Sequence, residues 1–178
     1  MKAALLVMDF QNAIVEMLED PEPLLERAEQ TIAVARSRGM TIAYVRVGVT
    51  DEDLAAAPPA AAERFGRLRD GDPQTAIVGR LAPAEGDIVV RKVRVGAFST
   101  TDLESQLRAR GIEALVLTGI ATSGVVLSTV RDAFDKDFHV TVLADVCADR
   151  DAEVHRVLIE KVFPRQADVV PLAQWSSA

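Results

Sequence analysis

The chain has 178 residues, of which 49% are apolar and 26% charged, with a formal net charge of −7 and a single cysteine. A length of this order suits one domain whose core buries roughly 70% of the surface its unfolded chain exposes. The acidic balance and the lack of a basic stripe argue against a nucleic-acid surface, and one cysteine cannot close an internal disulfide.

The first predicted element is a strand from Ala3 to Met8. Its apolar run is about six residues long and meets Asp9, too short for the core of a signal peptide, so it reads as a buried strand. Further apolar runs follow at Thr41 to Val47, Ile88 to Val90, Ala114 to Thr118, Val140 to Ala144 and Val169 to Val170. They are unbroken rather than alternating, the pattern of strands buried on both faces of a parallel sheet. Between them lie segments of helical period: Pro23 to Arg38, Thr101 to Arg110, Ser123 to Lys136 and Asp151 to Phe163. Gly39 and Gly111 stop the first two, as expected of left-handed caps. The Ala- and Pro-rich stretch from Ala55 to Ala62 reads as a loop or short helix over the rim of a site, since neither flank is long enough to be a separate domain. The expectation is an α/β fold, a three-layer doubly wound sheet of about six parallel strands, with residues 1–178 forming a single domain. No stretch approaches the roughly 20 apolar residues that span a bilayer, and the lone cysteine fits a reducing cytoplasm.

In open α/β sheets, ligands gather beyond the carboxyl ends of the strands, where the strand order reverses. Polar residues that follow strands are therefore the candidates. Asp9-Phe10-Gln11-Asn12 follows the first strand, Lys92 stands just after Ile88–Val90, and Gly119-Ile120-Ala121-Thr122-Ser123-Gly124-Val125 follows the fourth.

These motifs resemble those of the isochorismatase-like (cysteine hydrolase) family, in order and over most of the chain. The resemblance rests on Asp9 and Gln11, on Lys92 with Ala97-Phe98 leading into Thr101-Asp102-Leu103, on Gly119-Ile120-Ala121-Thr122, and on Asp145 closing the next strand. It implies a six-stranded parallel sheet in which an Asp and a Lys flank a cysteine at a helix N-terminus. In the amidase branch the Asp takes the thiol proton, the Lys supports the charge balance, and two backbone N–H groups stabilise the oxyanion. A thiol attacks only as thiolate, which a helix N-terminus and an ammonium both favour. The catalytic candidates carried over are Asp9 and Lys92, with Gln11, Phe98, Ala121, Thr122, Ser123, Gly124 and Val125 as substrate-binding candidates.

Counted from Gly119, the family's cysteine aligns with Val125, whose side chain has neither a lone pair nor a proton. The covalent route is closed at that position. The resemblance also implies a way round it, because isochorismatases carry glycine there and hydrolyse a vinyl ether with the aspartate as general acid and water as nucleophile. The reading is a hydrolase acting on a small metabolite by noncovalent acid/base chemistry; the alternative is a catalytically silent member that binds a small molecule or serves as a structural subunit. By resemblance, a homo-oligomer of two or four copies is expected.

The remaining reactive residue types have plainer readings. Cys147 ends a different strand, and free cysteines are usually buried and structural. Ser123 and Thr122 lack an obvious activating base, since His139 opens a strand and His155 lies in a mixed charged and apolar helix. Nicotinamidases of the family bind a metal through an Asp-x-His after the second strand; this chain has Gly48-Val49-Thr50-Asp51-Glu52-Asp53 there, read as a solvated acidic loop. Gly119 and Gly124 lack dinucleotide-fingerprint spacing. No metal and no cofactor are expected.

Overall fold

The computed structural model describes residues 1–177. Six strands, β1 (Ala3–Met8), β2 (Thr41–Val47), β3 (Ile88–Lys92), β4 (Ala114–Ile120), β5 (His139–Ala148) and β6 (Asp168–Val170), form one sheet in the order β3-β2-β1-β4-β5-β6. All five pairings are parallel. The chain winds outward from β1 to β3, then returns to lay β4 against the free side of β1. That reversal sets the switch point between the carboxyl ends of β1 and β4.

Side chains of successive strand residues face opposite sides, so each strand feeds two cores. Leu5 and Val7 join Ile42, Tyr44 and Val116 beneath the helix α2 (Glu22–Ser37) and the C-terminal Leu172. Leu6 and Met8 join Val45, Val90 and Leu117 on the other side, covered by α5 (Leu103–Ala109) and α6 (Leu127–Asp135). Between these lie the short helices α1 (Asn12–Val15), α3 (Asp51–Ala55) and α4 (Pro59–Phe65); α7 (Ala152–Val157) and α8 (Leu172–Ser177) complete the set. The three-layer doubly wound arrangement expected from the unbroken apolar runs is present. Gly39 takes φ +62°, and the Met40 N–H reaches back to the Ala35 carbonyl at 3.0 Å, the left-handed stop expected of it. None of the described helices is long and apolar enough to cross a membrane.

Several boundaries differ from the sequence reading, and the differences place the site. Strand β3 extends to Lys92, so this residue belongs to the strand end rather than to the loop after it. The segment expected as one helix from Ser123 opens with a π-helical turn over Thr122–Val126 before α6. Wider turns of this kind are frequent at functional sites. Strand β5 runs on to Ala148 because its register against β4 slips: Leu117 pairs with Val142, but Gly119 pairs with Cys147. The slip re-aims the end of β5 alongside the end of β4. The 55–62 stretch splits between the end of α3 and the start of α4.

Candidate active site

Asp9 leaves β1 with φ +59°, a conformation uncommon outside glycine. Its backbone is held there on both sides, with its N–H donating to the Val45 carbonyl and its own carbonyl accepting from the Gln11 N–H, each at 2.8 Å. The turn directs the carboxylate toward the end of β3, two strands away. There the Lys92 ammonium lies 2.9 Å from Asp9 Oδ2, the side chains being 2% and 7% exposed. Lys92 also donates to the Arg94 carbonyl at 3.1 Å, which leaves one of its three N–H groups over.

The other carboxylate oxygen, Asp9 Oδ1, is buried and has no hydrogen-bond partner among the described residues. Buried polar atoms are nearly always satisfied, so an orphan acceptor beside a buried ammonium calls for an explanation. Burial drives the Asp9 pKa up to about 6, and the attraction and hydrogen bond of Lys92 only partly offset that rise. The carboxyl is therefore mostly ionised yet readily protonated at neutral pH, as suits a group that accepts and returns protons.

Both residues line a cavity of about 400 Å³ at the switch point. The wall after β4 supplies Ala121, Ser123, Gly124 and Val125. Gly119 lets this wall come close: a Cβ there would meet the Met8 carbonyl oxygen at 3.0 Å and Val126 Cγ2 at 3.2 Å. Of the expected site residues, the cavity thus brings together Asp9, Lys92, Ala121, Ser123, Gly124 and Val125.

Three others lie outside it, each for a visible reason. Gln11 is fully buried and its amide is consumed by backbone: Nε2 donates to the carbonyls of Val47 and Thr75 at 2.7 Å, and Oε1 accepts from the Val47 N–H at 2.8 Å. It pins the end of β2 and the turn at Pro73–Thr75 to the loop after β1, with both of its donors spent on backbone. Phe98 packs into the core, its ring stacked 6.0 Å from that of Phe138. Thr122 is wholly buried and its hydroxyl lies 2.8 Å from Nδ1 of His155.

Other lining residues went unnamed in the sequence. Asp149 and Arg150 follow β5, and the rule that singled out residues after β1 and β4 would have found them had β5 been read to Ala148. Arg64, Phe65 and Leu68 come from α4 and the turn after it, the rim segment. Cys147 is buried with its thiol pushed up to about 12 by burial, far from a thiolate at neutral pH, and it does not line the cavity. No group of three or more His, Cys, Asp or Glu side chains among the described residues is gathered closely enough to hold a metal ion. In the acidic loop, Asp51 pairs with Arg69, and Asp53 pairs with Arg91 at 2.6 Å.

Comparison with known proteins agrees with this arrangement. The Isochorismatase domain model matches residues 3–174. The chain is 34% identical over 177 residues to the uncharacterized isochorismatase family protein YecD of Escherichia coli O157:H7, covering 93% of this chain and 90% of that one. It is 34% identical over 170 residues to the ureidoacrylate amidohydrolase RutB of Cronobacter sakazakii, covering 81% and 73%. Among solved structures, the N-carbamoylsarcosine amidase of Thermoplasma acidophilum matches with a TM-score of 0.83 at 28% identity, covering 97% of both chains. An isochorismatase family protein of Burkholderia thailandensis matches at 0.86 and 28%, covering 99% and 94%. With the domain matched over nearly the whole chain and relatives aligned along most of their length, this chain belongs to the isochorismatase family of hydrolases.

Proposed function

We propose that the protein hydrolyses a small metabolite without a covalent intermediate, using Asp9 to move protons and water as the nucleophile. The observation that carries this reading is the orphan Asp9 Oδ1, held beside Lys92 in a cavity that Val125 also lines. Water bound at Oδ1 gives up a proton to the carboxylate as its oxygen bonds to the electrophilic carbon. The same proton then passes to the departing nitrogen or oxygen as the scissile bond breaks, and Asp9 returns to its starting state. Lys92 keeps the carboxylate ionised between turnovers and offers its remaining N–H to developing negative charge. Amides and ureides are the first substrates to try, given the names of the relatives, followed by enol ethers, for which the order reverses: protonated Asp9 gives its proton to the vinyl carbon, water adds to the oxocarbenium carbon and returns a proton to Asp9, and the hemiketal collapses to carbonyl and alcohol. A single domain, a cytoplasmic location and a homo-oligomer of two or four copies belong to the same reading.

One observation favours a second reading: Val125 removes the family's nucleophile, which fits a silent member that binds a small molecule or serves as a structural subunit. Turnover of a panel of amides, ureides and enol ethers separates the two. On the first reading Asp9→Asn lowers the rate by roughly 10² to 10⁴, while intact-mass spectra during turnover show no adduct. Undiminished turnover by Asp9→Asn, or an acyl group found on Cys147, would overturn it.

A further inference from the structure

The cavity wall formed by Ala121–Val125 carries no cap of its own: the residue preceding the π-helical turn, Ala121, has no side chain able to bond the free N–H groups. Its support comes instead from the segment after β5. Asp149 Oδ2 accepts from the Ser123 N–H at 2.7 Å. The Asp149 carboxylate is itself fixed, its Oδ1 accepting from the Asp151 N–H at 3.3 Å. One helical turn further, His155 on α7 meets the Thr122 hydroxyl at 2.8 Å. Thr122 has no exposed surface and His155 is half-buried, so the pair sits behind the wall rather than in the cavity. Asp149 and Arg150 meanwhile line the cavity together with Ser123, Gly124 and Val125.

We propose that His155 is a positioning residue of the active site, acting through Thr122 to fix the backbone of residues 121–125. The inference takes the cavity to be the active site, as above, but needs no particular substrate. Its logic is that of an outer support. A wall that lines the cavity through Ala121, Ser123, Gly124 and Val125, opposite Asp9 and Lys92, must hold its place to a fraction of an ångström. A turn wider than an α-helix, uncapped by its own sequence, has little intrinsic rigidity for that task. The buried Thr122 hydroxyl has one partner within reach; without it, a buried polar group is left unpaired and the turn gains reason to open.

Hydrogen exchange of the intact protein, followed by mass spectrometry, tests this without any substrate. His155→Ala and Thr122→Val should each speed exchange of the amides within residues 121–127 by at least about fivefold, the scale of one lost hydrogen bond to a buried group. Strand amides of β1 and β4 should stay protected. The double variant should exchange no faster than either single one, and His155→Asn, which keeps an amide group near the Nδ1 position, should restore protection. For any substrate the parent turns over, His155→Ala should lower kcat more than it alters KM, with Asn recovering part of the loss. Unchanged exchange in 121–127, a uniform rise across the whole sheet, or additive effects in the double variant would each overturn the proposal. A protein that hydrolyses nothing would defeat the catalytic reading while leaving the exchange result to decide this one.

Discussion

Arg91 and Lys92 are neighbours on β3, yet they enter two different kinds of charge cluster. Alternation along the strand sends them to opposite faces. Arg91, 34% exposed, joins Asp53 at 2.6 Å and Asp70 at 3.6 Å, and Asp70 in turn pairs with Arg46 at 2.7 Å. There every charge has a partner, and hydrogen bonds from Thr50 and then Arg91 hold Asp53 below the ordinary carboxylate range. Lys92, 2% exposed, faces a single carboxylate that burial has pushed the other way and that keeps one oxygen unpaired. A basic residue beside aspartate gives a solvated brace on one face and a desolvated pair on the other. Solvent access, rather than charge count, makes the difference.

The largest effect expected from breaking the contrast is on the buried side. Lys92→Met removes one partner and leaves Asp9 desolvated without its cation, a change that costs about 3 to 5 kcal/mol for buried pairs. Urea unfolding should report that loss, and a cost below about 1 kcal/mol would mean the pair is wetter than its burial indicates. Because the Asp9 pKa is raised, the sign of its pH dependence is fixed. Its contribution to stability is complete below about pH 4 and is lost as pH rises through about 6. The stability of the parent relative to Asp9→Asn should therefore fall by roughly 2 kcal/mol between pH 4 and pH 7.5. A difference that stays level, or rises, over that window would contradict the desolvated carboxylate. If Asp9 is the base in the slow step, turnover should climb through the same pH 6.

A thiol placed in the cavity tests the other wall. Val125→Cys should react with iodoacetamide at least about a hundredfold faster than Cys147, because position 125, though buried, stands in the first turn of a helix and lines a cavity shared with Lys92, whereas Cys147 lines no part of that cavity and burial pushes its thiol to about 12. An introduced thiol as inert as Cys147 in a folded protein would remove Val125 from the nucleophile position.

How far the sequence could be read follows from the range of the interactions involved. Strand and helix periods are local, so the sheet and its layers were legible, as was the gathering of Asp9, Lys92 and residues 121–125 beyond the strand ends. Gln11 stands in a motif that points to the site, and only the fold reveals that its amide serves the Val47 and Thr75 backbone. Phe98 sits in a motif that leads toward the site, yet its ring turns to Phe138, forty residues away. The slipped register of β5, which delivers Asp149 to the rim, leaves no mark in the pattern of apolar residues. His155 looked like a residue of a mixed helix face because its partner, Thr122, lies 33 positions earlier.

The smallest effect belongs to Arg91→Ala, and it sharpens the comparison from the exposed side. Arg91 bonds the Gly48 carbonyl at 2.8 Å as well as Asp53, so its removal loosens the acidic loop at one point. The acids it leaves behind are 21% and 28% exposed and can turn to water, and Asp70 keeps Arg46. Exposed pairs contribute about 0.2 to 1 kcal/mol. The expected loss in urea unfolding is therefore under about 1 kcal/mol and shrinks further in high salt, where screening weakens what the pair supplied. Turnover should stay within about twofold of the parent, because neither Arg91 nor its partners line the cavity. A loss as large as that of Lys92→Met, unchanged by salt, would show that the two clusters are one network running through the strand, and the division drawn at β3 would have to be abandoned.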